Sequence, residues 1–329
     1  MQIILNDYSS FLGKKGERFT IKTGDKKQEY AVKDVDQILI AAASSVSVGA
    51  IKFALKNEID IVFLNSIGRP LGRVFPCKLG GTTLTRKRQL EAYYTPRAAK
   101  IAKELVKAKI VNQAYFLKSL SKSRKQDFTE IANSNIEVSK RIDSLTGNVD
   151  FMRQELLGIE GVTASNYFGC LTKILPFKGR DKDSQDHVNI LLNYGYGILY
   201  NQTEKTCVLA GLDPYLGFMH TDRYNKPSMV LDMIEGFRPI IVDRAIVTLF
   251  AQKQVNGKMF QEHPEDKQLI LTKEGREKII SAIMERLYTK VSFKGKQTSF
   301  DDIMLGQARR VANYLLDENK GFEAFVYRW

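Results

Sequence analysis

Over the first 76 residues the apolar positions come in short runs separated by turn residues. Ile3 to Leu5, Arg18 to Lys22, Glu29 to Val32, Gln37 to Ala41, Asp60 to Leu64 and Pro70 to Phe75 read as strands, bounded by signals such as Lys14-Lys15-Gly16 and Thr23-Gly24-Asp25. One helix interrupts them, Ser47 to Asn57, with Val48, Ile51, Phe53, Ala54 and Leu55 on its apolar side. From about residue 84 the period lengthens to that of a helix, and Ile101, Leu105, Ala108, Val111, Phe116 and Leu120 continue one amphipathic face. Helices are predicted at about 87–121, 126–145, 148–174, 184–203, 205–216, 226–236, 238–252, 272–288 and 299–316, with few strand candidates among them. Residues 175–182 read as a loop and 261–268 as a charged connection. The expected fold is α+β in two domains: a small N-terminal β-rich, sandwich-like domain (1–80) and a larger all-α domain (81–329), joined between Phe75 and Thr85.

Composition narrows the class. With 329 residues, 43% of them hydrophobic, the chain is long and apolar enough to bury a large core, which excludes a disordered or fibrous protein. Cys77, Cys170 and Cys207 are odd in number and widely spaced, so neither a disulfide framework nor a cysteine zinc site is expected. Met1 to Asp7 carries no basic leader. The longest apolar stretches, Ile38 to Ile51 and Pro239 to Phe250, are broken by Ser44-Ser45 and Asp243-Arg244, short of the about 18 residues of a membrane span. A soluble, cytoplasmic protein is the expectation.

The formal charge of +13 is unevenly placed, because residues 81–140 hold 13 basic and 5 acidic residues, +8 of the total. Arg86, Lys87 and Arg88 open this stretch, and Arg97, Lys100, Lys103, Lys107, Lys109, Lys118, Lys122, Arg124 and Lys125 continue it. Such density suits tracking phosphates; a solvated lysine-rich helix face has the same composition.

Three acids and a histidine stand out. On the helix predicted at 148–174, Glu160 falls on the stripe of Leu156, Thr163 or Ala164, Tyr167 and Leu171 and is aimed inward, where a carboxylate needs a proton, a cation or a metal. His220 closes the apolar turn Gly211-Leu212-Asp213-Pro214-Tyr215-Leu216-Gly217-Phe218-Met219-His220, where a histidine serves either as a capping residue or as a ligand. Asp232 and Glu235, at i and i+3 amid Met, Ile, Leu and Val, project from one side of a helix. Oxygen donors with one imidazole favour Mg²⁺ or Mn²⁺ over zinc. No Gly-rich phosphate loop is present, so no nucleotide cofactor is expected.

Four ordered segments, Glu160 to Phe168, Leu192-Asn193-Tyr194-Gly195-Tyr196, Gly211 to His220 and Asp232-Met233-Ile234-Glu235-Gly236-Phe237-Arg238-Pro239, resemble the CRISPR-associated spacer-acquisition integrases. Gly68-Arg69-Pro70-Leu71-Gly72-Arg73 fits the same family. The resemblance implies metal ligands at Glu160, His220 and Glu235, with Asp232 either orienting a ligand or serving as an alternate one. Gly236 departs from the acid that relatives often carry before Phe-Arg-Pro. The resemblance further implies a metal-dependent endonuclease and integrase that inserts short DNA fragments into the CRISPR repeat array by transesterification and cuts branched DNA. It also implies a homodimer formed through the N-terminal domain, a small ferredoxin-like CRISPR-associated partner protein, and a prokaryotic cytoplasmic setting. The alternative is an inert DNA-binding scaffold of the same fold.

Beside the motifs, Arg238 and Arg244 are candidates for the scissile phosphate or for salt bridges to Asp243 or Asp232, and Arg86, Lys87 and Arg88 for the DNA backbone. Asn193 and Tyr194, like Ser165 and Tyr167, serve the site or the packing of their helices. If the ligand atoms hold one ion, they must converge to within about 4 to 5 Å of one another.

Overall fold

The computed structural model describes residues 2–35, 37–65, 70–74, 82–220, 226–263 and 267–329. Gly68, Arg69, Cys77 and residues 75–81 of the junction expected between Phe75 and Thr85 lie outside the described residues.

Eight strands form two sheets. β1 (Gln2–Leu5), β5 (Gln37–Ile40), β7 (Asp60–Leu64) and β8 (Pro70–Val74) lie side by side in that order, parallel except for β8. β4 (Lys26–Ala31), β3 (Arg18–Thr23), β2 (Phe11–Lys15) and β6 (Ser45–Val46) make the second sheet, antiparallel except for the β2–β6 pair. β3 buries Phe19, Thr20 and Ile21 in succession, and Phe19 and Ile21 meet Ile3, Leu5, Ile38 and Ile61 of the first sheet and Phe53 of α1 (Val48–Lys56) in one core. Ser47 caps α1 by accepting the Ala50 N–H. β2 is a strand where the sequence read as a turn: Lys14 and Lys15 pair with Phe19 and Arg18, and only the tip at Gly16, with φ +57°, turns.

The remainder is helical: α2 (Thr82–Ala92), α3 (Pro96–Ser121), α4 (Thr129–Lys140), α5 (Val149–Leu171), α6 (His187–Leu209), α7 (Ser228–Ile234), α8 (Arg244–Ala251), α9 (Lys273–Tyr288) and α10 (Phe300–Leu316). The single helix expected at 87–121 is two, because Pro96 has no N–H to continue the ladder and Thr95 caps the second by accepting the Arg97 N–H. The two helices expected at 184–203 and 205–216 are one; no breaker stands at Glu204, which pairs with Arg73 of β8 at 2.9 Å. Two short hairpins, β9 (Phe260–Glu262) with β10 (Leu269–Leu271) and β11 (Lys290–Phe293) with β12 (Lys296–Ser299), join the helical part. Among the described residues, no helix is long and apolar enough to cross a membrane.

α3 is the central element. Fifteen of its residues are buried, including Lys109, Asn112 and Gln113, and it packs on α4, α5 and the turn after α7. The two parts of the chain meet through Arg73 on Asn201 and Glu204, and through Arg276, which donates to Asn6. Beyond α10 a short 3₁₀ turn, Glu318–Lys320, leads into backbone without regular structure, yet Phe322 and Phe325 are buried.

Candidate active site

α7 ends in a short turn, Glu235–Phe237, and a wide π turn, Pro239–Asp243, before α8 begins. Asp232 of α7 is 1% exposed, and all its acceptor capacity is directed at one loop. Its Oδ2 accepts the backbone N–H groups of Phe218 and Met219 at 2.6 and 2.9 Å, and its Oδ1 accepts that of His220 at 2.9 Å. The same Oδ1 lies 2.7 Å from His220 Nδ1, so the imidazole donates there and keeps Nε2 free. The loop reaches this position because Gly217 lies against the start of α7: a Cβ there would stand 2.6 Å from the carbonyl carbon of Ser228. Gln89 of α2 clamps the loop's other end, accepting the Asp213 N–H and donating to the Asp213 and Leu216 carbonyls.

Glu160, beside the buried stripe of α5, and Glu235, just past α7, both face Lys109 of α3. Lys109 donates to Glu160, and its Nζ is 2.5 Å from Glu235 Oε2. Arg238 pairs with the other oxygen of Glu235 at 3.2 Å and lies over the Tyr196 ring at 4.6 Å. The four side chains make a neutral set of two cations and two carboxylates in which Lys109 is only 9% exposed. Burial works against every charge here, but Arg238 and Lys109 outweigh it at Glu235 and hold that carboxyl down at about 2. Against the same burial, Glu235 and Glu160 hold the Lys109 ammonium above its ordinary range. Glu235 Oε2, though beside the ammonium, is buried without an aligned hydrogen bond.

The structure thus brings Glu160 and Glu235 onto one shared cation, Lys109, with Arg238 on the other oxygen of Glu235. Asp232 is taken up with His220 and its loop. Among the described residues, no three His, Cys, Asp or Glu side chains stand together as a group that could hold a metal ion, so the expected ligands Glu160, His220 and Glu235 do not meet in one cage here. The donor chemistry nevertheless fits a divalent ion: two carboxylates already share one cation, one of their oxygens lacks an aligned donor, and an oriented imidazole has a free nitrogen. Lys109 is the residue that sequence reasoning placed wrongly, on a phosphate-tracking face. Its signal was position, since it follows Leu105 by four on the buried stripe of α3.

Arg244 is not among the acids. It lies over the rings of Phe116 and Trp329 and, with Arg286 and Lys278, lines a separate cavity of about 450 Å³. Among the described residues, neither Asp232 nor Asp243 forms a salt bridge with an arginine; Asp243 instead accepts the hydroxyls of Tyr167 and Tyr196 at 2.7 and 2.6 Å, and its burial raises its carboxyl to about 6. Tyr194 is packed in the core, and Asn193 accepts from Arg180. Arg86, Lys87 and Arg88 are exposed on α2, where Arg88 pairs with Glu91 at 2.6 Å and Arg86 approaches Asp213 at 4.0 Å. Along α3, Lys100 and Lys107 are paired with Glu104 and Asp143, which leaves α2 and residues 122–125 as the more open basic surface.

The sequence profile of the family described as CRISPR associated protein Cas1 matches residues 3–285. The chain belongs to the Cas1 family. A Cas1 endonuclease of Archaeoglobus fulgidus is 33% identical over 351 aligned positions that take in all of both chains. Another from Francisella tularensis subsp. novicida is 29% identical over 99% of each. Among solved structures, a casposase bound to its integration product superposes with a TM-score of 0.85 at 26% identity, covering 98% of this chain and 92% of its own. A Cas1 protein from Thermotoga maritima, 23% identical with a TM-score of 0.80 over all of both chains, shares the fold. The α+β architecture, strands first and helices after, is therefore that of Cas1 proteins.

Proposed function

We propose that this Cas1-family chain is a metal-dependent DNA endonuclease and integrase that joins short DNA fragments to a CRISPR repeat array by transesterification. The observation that carries the reading is the convergence of Glu160 and Glu235, from separate elements, on one cation position, in a chain that also fixes the Nδ1 of His220 by a buried carboxylate. Relatives that are named endonucleases along the whole chain, and the casposase seen with its integration product, support the same chemistry.

Glu160, Glu235 and His220 Nε2 would hold the ion, Mg²⁺ or Mn²⁺. When bound, it supplies Lewis-acid polarisation of the phosphodiester and stabilises charge on the attacking and departing oxygens. The chain's own residues do the rest. Asp232 holds the imidazole in one tautomer and orientation while fixing three consecutive backbone N–H groups. Arg238, its guanidinium over the Tyr196 ring and its Nε without a partner, presents a planar donor to a phosphate entering beside Glu235. The basic surface of α2 holds the DNA backbone without reading sequence.

Within this reading, residues 1–80 form the domain through which two copies dimerise and residues 81–329 the catalytic domain. A small ferredoxin-like CRISPR-associated protein completes the assembly, in the prokaryotic cytoplasm. The test is strand transfer and cleavage of a branched DNA by wild type and His220→Ala, with Mn²⁺, Mg²⁺ or EDTA, scoring DNA binding in parallel. The expected result is metal-dependent product that the substitution abolishes while binding persists. Binding without any metal-dependent product in the wild type would leave an inert scaffold.

A further inference from the structure

Lys109 occupies the position where the two glutamates can share a cation. The carboxylates of Glu160 and Glu235 both contact its ammonium, Arg238 closes the other side of Glu235, and the set is already neutral. If a divalent ion joined while the ammonium stayed, two carboxylates would face four positive charges in a site with little water. That excess is strongly unfavourable where the effective dielectric constant is low.

We propose that Lys109 is a resident counter-ion that a divalent metal must displace, so that this side chain sets both the stability of the metal-free protein and the strength of metal binding. Its four-carbon stem is flexible and lets the ammonium leave without moving α3. The exchange conserves the pairing of the acids: two ion pairs to a lysine are given up for two bonds to a metal. Metal affinity is thereby lowered by the free energy of the lysine pairs, and the metal-free fold never has to keep two unpaired carboxylates buried together. The inference rests on the metal-site reading above, and the experiment separates the two.

Mn²⁺ binding is measured by electron paramagnetic resonance titration on wild type, Lys109→Met, Lys109→Gln and Glu160→Gln, and unfolding temperature is recorded in EDTA and in Mn²⁺. Both Lys109 variants should bind Mn²⁺ more tightly than wild type, by about tenfold or more for the loss of roughly 1.4 kcal/mol of competition. They should unfold at lower temperature in EDTA and recover in Mn²⁺, whereas the wild type, which binds the ion more weakly, should gain less from it. Variants that fold only when Mn²⁺ is present would support the exchange equally. Folded variants that bind Mn²⁺ no better than wild type would overturn it, as would variants that stay unfolded in saturating Mn²⁺, since the lysine would then do something a metal cannot replace. If neither wild type nor the Lys109 variants bind Mn²⁺, or if Glu160→Gln binds as the wild type does, the metal-site reading falls instead.

Discussion

Asp232→Asn changes one oxygen to an amide and little else in shape, so its effect isolates the acceptor geometry at this residue. The carboxylate takes four hydrogen bonds, two at each oxygen, in a place 1% exposed. If the new amide nitrogen takes the Oδ2 position, the N–H groups of Phe218 and Met219 both lose their acceptor. If it takes the Oδ1 position, only the His220 N–H is orphaned, and the amide donates to Nδ1, forcing the ring proton onto Nε2. The second arrangement is the cheaper. One buried donor without a partner costs about 1–3 kcal/mol, and the remaining bonds lose their charge assistance, so the expected loss of stability is about 2–3 kcal/mol. The chemical consequence is larger than the structural one, because a protonated Nε2 cannot ligate; loss of such an orienting carboxylate lowers metal affinity by about 10- to 100-fold. Urea unfolding followed by circular dichroism reads the first effect and Mn²⁺ titration the second. Stability within about 0.5 kcal/mol of wild type together with unchanged Mn²⁺ affinity would refute the assignment of Asp232 as the orienter of His220.

Four further outcomes are expected. Glu160→Ala should abolish strand cutting and joining while leaving DNA binding largely intact; a variant that cuts at the wild-type rate would remove Glu160 from the site. Replacing Arg86, Lys87 and Arg88 together by Ala should weaken DNA binding and flatten its salt dependence, the slope falling by about one for each phosphate that is no longer neutralised, and an unchanged slope would move the DNA path elsewhere. Asp243, raised by burial to about 6 from an ordinary 3.8, contributes stability that is full below about pH 3.8 and lost as pH rises through about 6. Asp243→Asn should therefore gain on wild type by up to ~3 kcal/mol near pH 8 and lose that advantage near pH 4, and stability curves that run parallel across this window would contradict the account. Gly217→Ala should lower the unfolding temperature, because its Cβ would stand 2.6 Å from the Ser228 backbone; a fully stable variant would show that the loop can move aside.

What was legible in the sequence is what local pattern encodes. Asp232 and Glu235 could be found because acids three apart on an apolar helix break its pattern, and Glu160 because it interrupts a stripe on α5. The division into strands and then helices followed from the change of period near residue 84. Tertiary partners were not legible. Lys109 sits in a lysine-rich helix, where its place on the apolar stripe marks it as inward but nothing names the acids that α5 and the turn after α7 bring to it. β2 was hidden because its two lysines face outward on a hairpin that pairs only with residues further on. Nor was the pairing of Glu204 on α6 with Arg73, more than a hundred positions away, legible. Arg244 adjoins the acids in sequence, but the π turn between Pro239 and Asp243 rotates it away onto Phe116 and Trp329.

Asn112, one turn beyond Lys109 on α3, donates both to the Gly236 carbonyl next to Glu235 and to the Phe325 carbonyl, and it accepts the Tyr327 N–H. Phe325 is held in turn by Gln307 of α10. The acid-bearing turn is thus latched to a strand of backbone made some ninety residues later in synthesis. Asn112 thus couples the turn beside Glu235 to residues 325–327, so that a change loosening Phe325 or Tyr327 would reach that carboxylate through one shared side chain and not through the site itself.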